Sequence, residues 1–176
     1  NCNAVEGVDD LNLWSKQGHN INIYPWDGIC HIFGNGLNMH GNKITNTGTY
    51  YWSCPGTNFK AWVQGTQVNA IDYHYGQNWV ESDQDTAFFM CPVFLPNGAV
   101  VTGAVVYGNI SDESWELQRM EINSTTTASL ALAYFNTEDT SISNATINNN
   151  LYSYAILTSG IDDTDVIYGA RIRYTL

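Results

Sequence analysis

Apolar and polar residues alternate with a period of two along most of the chain, and Gly, Asn, Asp and Pro interrupt the alternation at intervals. In the final stretch Tyr168, Ala170 and Ile172 fall on one side, while Arg171 and Arg173 fall on the other. This period is that of a β-strand with one face in a core, and a helical period is almost absent. The pattern therefore predicts an all-β protein.

Two earlier stretches show the same alternation. Residues 129–135 place Leu130, Leu132 and Tyr134 on one side, and residues 151–157 repeat the pattern with tyrosine and isoleucine. Because alternate side chains of a strand share a face, we expect each of these sets to point into the core. Both stretches are therefore interpreted as strands of a sandwich.

Two breaks in the pattern predict how the strands connect. In residues 115–122 the alternation slips by one position, which predicts a β-bulge. The triplet at 96–98, Pro-Asn-Gly, separates the apolar runs 87–95 and 99–107 and predicts a tight turn. Antiparallel strands at this spacing predict a two-sheet β-sandwich of jelly-roll type.

Residues 85–176 resemble a β-sandwich domain that recurs in secreted and surface proteins of bacteria and archaea, most of them uncharacterised. The resemblance implies the sandwich fold and an extracellular setting, and it brings no activity and no catalytic residues. The motifs that carry it are FLPNGAVVT (94–102), VVY (105–107), DTSI (139–142), ATIN (145–148), YSY (152–154) and IYGARIRY (167–174).

A chain of 176 residues is long enough for one domain, which we expect to span 1–176. Its first part, 1–84, is irregular and holds five of the six tryptophans, whereas 85–176 is regular strand and polar loop. A separate N-terminal subdomain is the alternative. The net charge of −11 opposes binding to nucleic acid and to anionic lipid surfaces. The apolar runs are too short to span a membrane.

Four cysteines, Cys2, Cys30, Cys54 and Cys91, occur without a Cys-x-x-Cys motif, which favours disulfides over a metal site. Disulfides and a first residue other than methionine predict a secreted or cell-surface protein whose leader has been removed. A Cys30–Cys54 bond with a Cys2–Cys91 bond is one of three pairings, and the sequence does not choose among them.

Clusters of acidic residues are candidates for calcium, although a solvated acidic turn is the alternative for each. No cofactor is required by any motif, and no catalytic signature is present; the spacing of Asp72 and His74 is weak evidence for a metal site. The candidate calcium ligands are Asp162, Asp163 and Asp165 in one cluster and Glu81, Asp83 and Asp85 in another.

Aromatic residues among Asn, Gln and Asp in the first half are candidates for a subunit interface or a sugar contact, with a place in the core as the commoner alternative. These residues are Trp26, Tyr51, Trp52, Trp62 and Trp79. Asparagines in Asn-x-Ser/Thr triplets are candidates for glycosylation. They are Asn109, Asn123 and Asn144.

The favoured functional hypothesis is an extracellular structural subunit that assembles into a filament, tube or surface layer. We expect residues 1–14, with apolar Val5 and Leu11 and no helix start signal, to pair as a strand with another subunit and form a homo-oligomer. Folding of this arm onto its own sandwich is the alternative. The second hypothesis is a carbohydrate-binding, adhesin or phage-fibre module with a glycan partner. A polysaccharide-acting enzyme using Glu81, Asp83 and Asp85 is the least favoured.

Overall fold

A computed structural model describes residues 48–61, 71–74 and 76–176, and residues 71–74 are described by their backbone. The chain divides into two units, Asn1–Lys43 and Ile44–Leu176, and the strands described here belong to the second. The expectation of a single domain over 1–176 stays a prediction. The strands are β1 (Tyr50–Pro55), β2 (Lys60–Ala61), β3 (Ile71–His74), β4 (Trp79–Ser82), β5 (Ala87–Val93), β6 (Val100–Gly108), β7 (Ser114–Glu121), β8 (Thr127–Tyr134), β9 (Tyr152–Ile161) and β10 (Val166–Thr175).

These strands form two antiparallel sheets, which confirms the predicted all-β, two-sheet sandwich. In the first sheet β10 is central: it pairs with β1, β4 and β6, and β3 pairs with β4. The second sheet has the order β2-β5-β9-β7-β8. Apolar side chains from both sheets fill the space between them, and the largest buried ones include Trp115, Phe59, Phe89, Leu117, Ile156 and Ile172.

The predicted turn at residues 96–98 is confirmed, and it carries the chain from β5 in the second sheet to β6 in the first. The N–H of Ala99 donates to the carbonyl oxygen of Pro96 at 3.1 Å. Gly98 has φ +83°, a left-handed conformation that favours glycine at this position. The residues at 96–98 therefore determine the turn at which the chain crosses from one sheet to the other.

The predicted slip in β7 corresponds to a bulge, but the extra residue lies in the neighbouring strand. Pairing of β7 with β8 shifts between Leu117 and Gln118, which leaves Leu130 of β8 as the inserted residue. Leu130 is buried, whereas Leu132 and Tyr134 are each 60% exposed. The prediction that these three side chains share a core face is therefore wrong, because the bulge reverses the alternation after Leu130.

A similar irregularity changes the alternation that was predicted for the last strand. The register between β10 and β6 shifts between Ile167 and Gly169, and Tyr168 at this shift is exposed. Gly169 has φ +155°, and a side chain there would collide with the carbonyl oxygen of Cys54. Ala170 and Ile172 are buried as predicted. Over the part of the chain that is described, no helix is long and apolar enough to cross a membrane.

Candidate functional site

The outer face of the second sheet carries large apolar side chains exposed to solvent. Along β5, exposed residues alternate with buried ones, so Met90 points outward and Cys91 inward. Phe94, directly after β5, is 76% exposed. Leu132 and Tyr134 of β8 belong to the same outer face, because the bulge described above turned them away from the core. An apolar sheet face of this kind is a candidate recognition surface.

Three neighbouring strands build a depression on this face. Tyr134 of β8 lies opposite Ser114 of β7, which in turn lies opposite Ser159 of β9. The depression has a volume of about 680 Å³, and we call it the acidic depression because two carboxylates stand at its edge. Its lining residues are Asp112, Glu113, Ser114, Leu132, Ala133, Tyr134, Thr137, Ser159 and Gly160.

A second, smaller depression of about 180 Å³ continues the first across the sheet. The two share Ser114, Leu132 and Ser159, so together they form one groove that runs from β8 toward Phe88 of β5. Glu116 lines the smaller depression and accepts a hydrogen bond from Gln118 at 2.6 Å. The groove therefore combines apolar walls with carboxylate and hydroxyl groups.

Asn136 fixes the loops that border the acidic depression. It adopts φ +61° after β8. Its side-chain amide donates to the carbonyl oxygens of Gly108 and Ile110, both at 3.1 Å, and its side-chain oxygen accepts the N–H of Gly108 at 3.3 Å. Trp115 ties the same strand end to the core, because its indole N–H donates to the carbonyl oxygen of Tyr134 at 3.1 Å. Side-chain hydrogen bonds thus connect the end of β8 to β7 and to the segment that precedes it.

The Glu113 carboxylate at the edge of the depression is destabilised in its ionised form. Burial, a hydrogen bond with the Asp112 carboxyl, and the charges of Asp112 and Asp165 raise the pKa of Glu113. The Oε2 atom of Glu113 is shielded from solvent and has no hydrogen-bond partner among the described residues, although the side chain as a whole is half-buried.

A third depression, of about 470 Å³, lies at the other end of β9. Met90, Phe94 and Met120 give it an apolar lining. Tyr152 borders it, but the guanidinium of Arg119 lies 4.4 Å from the centre of that ring. The Arg119 guanidinium therefore covers part of the Tyr152 ring, and the third depression lacks, among its described lining residues, the carboxylates that stand beside Tyr134 in the acidic depression.

Of the five aromatic residues predicted as interface or sugar contacts, the three that the structure describes do not line the acidic depression. Tyr51 is 58% exposed on the first sheet, whereas Trp52 is half-buried against the core. Trp79 is half-buried in β4. Trp26 and Trp62 lie outside the described residues, so the role of these five residues stays a prediction. Sequence reasoning missed Tyr134 as an exposed ring because the alternation pattern placed it in the core.

The first calcium candidate is the turn at residues 162–165, where side-chain carboxylates accept hydrogen bonds from backbone N–H groups. Asp165 accepts the N–H of Asp162 at 3.0 Å, and Asp162 accepts the N–H of Thr86 at 3.3 Å, while Asp163 is exposed. Burial, followed by the charges of Asp162 and Asp112, raises the pKa of Asp165, and a backbone hydrogen bond opposes that shift. Calcium at this turn stays a prediction.

In the second calcium candidate, Glu81 is half-buried in β4 and Asp83 and Asp85 are exposed in the turn that follows. Within residues 48–61 and 76–176, no group of three or more His, Cys, Asp and Glu side chains has an arrangement suited to a metal ion. Calcium here also stays a prediction, as does the use of these carboxylates for catalysis.

The three candidate glycosylation sites are all exposed. Asn109 holds a strand end: its amide donates to Thr164 at 3.2 Å, and its oxygen accepts the N–H of Val166 at 2.7 Å. Asn123 lies between β7 and β8, and Asn144 lies between β8 and β9. Glycosylation of each stays a prediction.

Two of the four cysteines meet in the core. The Sγ atoms of Cys54 and Cys91 lie 3.5 Å apart as thiols. Cys2 and Cys30 lie outside the described residues. The contact favours a different pairing from the Cys30–Cys54 bond considered above.

No family model matches this chain, and no curated protein matches it. Among solved structures it is similar to the C-terminal CBM6 of LamC, a marine laminarinase from Zobellia galactanivorans. The two are 12% identical, the match covers 70% of this chain and 98% of that chain, and the TM-score is 0.41. The class that the fold defines is thus a two-sheet β-sandwich with one open, partly apolar outer face.

Proposed function

We propose that this protein is a non-catalytic carbohydrate-binding module and that the groove on its second sheet holds a sugar chain. The observation that carries the proposal is the exposed ring of Tyr134 beside the carboxylates of Asp112 and Glu113 in one depression. A sugar ring has an apolar C–H face and a rim of hydroxyl groups. It therefore needs an aromatic surface and hydrogen-bonding groups at the same place.

The chemistry of the groove matches both needs. Tyr134 supplies the flat surface on which a ring could stack. Asp112 and Glu113 supply carboxylate groups at the edge of the same depression, and carboxylate oxygens accept hydrogen bonds from hydroxyls. The hydroxyls of Ser114, Thr137 and Ser159 line the same depression and can donate or accept.

The negative charge of the chain and of the site favours neutral sugars over acidic ones. The chain carries a net charge of −11, and Asp112 and Glu113 stand at the site itself. Uronic acids and sulfated sugars would meet repulsion from these groups. The acidic depression has the volume of a small-molecule site, and the groove extends it, which favours a polymer over a single sugar.

Affinity electrophoresis tests the proposal with a panel of soluble neutral polysaccharides, namely a β-glucan, a xylan and a galactomannan, beside an acidic polysaccharide. We expect retardation by at least one neutral polymer, with no release of reducing ends. Tyr134→Ala should abolish the retardation, whereas Tyr51→Ala on the first sheet should retain it. Circular dichroism confirms that both variants are folded. Equal retardation of the two variants would contradict the proposed site.

The self-assembling extracellular subunit is the second candidate, because Met90, Phe94 and Leu132 expose apolar surface on one sheet face. Light scattering after size exclusion, over a range of protein concentrations, tests it with Phe94→Ser and with a truncation of residues 1–14. Loss of assembly in either variant would favour this candidate. A monomer at every concentration would exclude it.

A further inference from the structure

Cys54 and Cys91 belong to different sheets and meet across the core. Cys54 lies in β1 opposite Ala170 of β10, and Cys91 lies in β5 opposite Ile156 of β9. Their exposed fractions are 7% and 0%. The two sulfur atoms are 3.5 Å apart although the residues are 37 positions apart in sequence. The fold therefore places these thiols in contact without help from chain proximity.

We propose that Cys54 and Cys91 form a disulfide that joins the two sheets. Disulfide sulfurs lie about 2.0 Å apart, so bond formation requires an approach of about 1.5 Å, which small rotations of two side chains provide. Both side chains already point into the same space, so the backbone of β1 and β5 need not be rebuilt. The proposal is independent of the sugar site, because neither residue lines the groove.

A metal site explains the pair less well. Zinc needs four ligands and commonly takes cysteine and histidine together. Among the residues described here, no third His, Cys, Asp or Glu side chain completes a set with these two thiols. Two thiols in contact, with no third ligand among the described side chains, are suited to oxidation to a disulfide.

The contact also shifts the pKa values of the two thiols in the folded domain. The hydrogen bond between the thiols lowers the pKa of Cys54 and, together with burial, raises the pKa of Cys91.

The bond forms by thiol–disulfide exchange with a disulfide oxidant, either a thiol oxidase or the oxidised form of a small thiol. The Cys54 thiolate attacks the oxidant and releases one reduced thiol. Cys91, after losing its proton, attacks the Cys54 sulfur of the mixed disulfide and releases the second. Two protons and two electrons leave the cysteine pair, and the oxidant disulfide becomes two thiols. Because both sulfurs are buried in the folded domain, exchange takes place before the sheets close.

The proposed bond has a structural consequence for β1 and for the remaining cysteines. Among the strands described, β1 pairs with β10 alone, so it lies at an edge of the first sheet. A covalent link to β5 would anchor that edge to the second sheet. The same bond selects one of the three pairings, and it leaves Cys2 and Cys30 as the partners of the second bond.

Peptide mapping tests the pairing directly. The full chain is exported to an oxidising compartment, denatured without reductant, alkylated and digested. We expect a linked peptide that contains Cys54 and Cys91 and no alkylation at either residue. Alkylation of both residues, or a linked peptide that joins Cys54 to Cys30 or to Cys2, would overturn the proposal.

Paired variants provide a second test that is based on stability. Reduction should lower the melting temperature of the Cys2→Ala/Cys30→Ala variant by about 10 °C, because the Cys54–Cys91 bond is lost. The Cys54→Ala/Cys91→Ala variant should lack this contribution. The assignment would be contradicted if reduction lowered the melting temperature of the Cys54→Ala/Cys91→Ala variant but left that of the Cys2→Ala/Cys30→Ala variant unchanged. If the second variant does not fold, the peptide map of the wild-type chain still decides the pairing.

Discussion

The outer faces of the two sheets differ in how they use their polar and aromatic groups. On the first sheet, the guanidinium of Arg171 lies 5.6 Å from the Tyr51 ring and 6.0 Å from the Tyr107 ring. Arg173 pairs with Glu138 at 3.7 Å and donates to Thr102 at 3.2 Å. On the second sheet, the Tyr134 ring is open to solvent, and an oxygen of Glu113 has no donor within the described part of the chain.

Nε of Arg171 and Nε of Arg173 also lack a hydrogen-bond partner among the described residues, so the exposed Tyr134 ring is the feature that distinguishes the second face as the one that meets a ligand. Groups that engage one another across strands contribute to the sheet and leave little for a partner. Groups without internal partners cost stability unless a ligand satisfies them.

The largest expected effect comes from removing the support of the acidic depression. Asn136→Ala deletes three hydrogen bonds and should lower the free energy of unfolding by about 3 kcal/mol, measured by urea denaturation. Asn144→Ala is the matched control, because Asn144 also has a positive φ, of 50°. Its side chain makes no hydrogen bond among the described residues, so its change should cost less than about 1 kcal/mol. Equal costs would show that the amide of Asn136 is dispensable.

Removing the carboxylates of the depression should weaken binding without lowering stability. The Asp112→Ala/Glu113→Ala variant loses the hydroxyl acceptors, and we expect affinity for the retained polysaccharide to fall about tenfold or more. Titration calorimetry measures the change. Glu138→Ala, in the loop after β8, removes the carboxylate that pairs with Arg173 of the first sheet; it is the control and should bind as the wild type does. If only the control variant lost binding, the result would indicate a binding site near Arg173 of the first sheet instead.

A substitution at Arg171 tests whether the outer face of the first sheet contributes to stability. Arg171→Met keeps the length of the side chain but removes its charge over two tyrosine rings, which should lower stability by about 1 kcal/mol. Thermal denaturation measures the loss, and polysaccharide affinity should not change. A weaker affinity with unchanged stability would mean that the first face takes part in recognition.

The smallest expected effect is a pH dependence at Glu113. Burial and neighbouring carboxylates raise the pKa of Glu113 in the folded state, so the folded chain holds this proton more tightly than the unfolded chain does. The stability of the wild type relative to Glu113→Gln should therefore be greatest below the ordinary glutamate pKa. It should fall as the pH rises through the raised pKa of the folded state. A difference that grows with pH would contradict this sign.

The sequence predicts the regular strands well because their signal is local. β10, the turn at 96–98 and the buried residues of β9 follow from alternation and from Pro and Gly chemistry. Strands β1 to β4 come from the half predicted to be irregular, because short paired segments there leave little periodic signal.

The candidate site could not be predicted in the same way. One inserted residue, Leu130, exchanged the two faces of β8 and exposed Tyr134. Such an insertion depends on pairing with β7, and alternation within one strand does not reveal it. The contact of Cys54 with Cys91 likewise depends on how two sheets pack.

Chemical-shift mapping of the isotopically labelled protein, titrated with the neutral oligosaccharides of each panel polysaccharide, tests the central claim most directly. The account predicts that the amides of residues 112–116, 132–137 and 159–160 shift together and saturate with one affinity. Saturable shifts confined to β1, β6 and β10, or no saturable shifts with any neutral sugar, would contradict it.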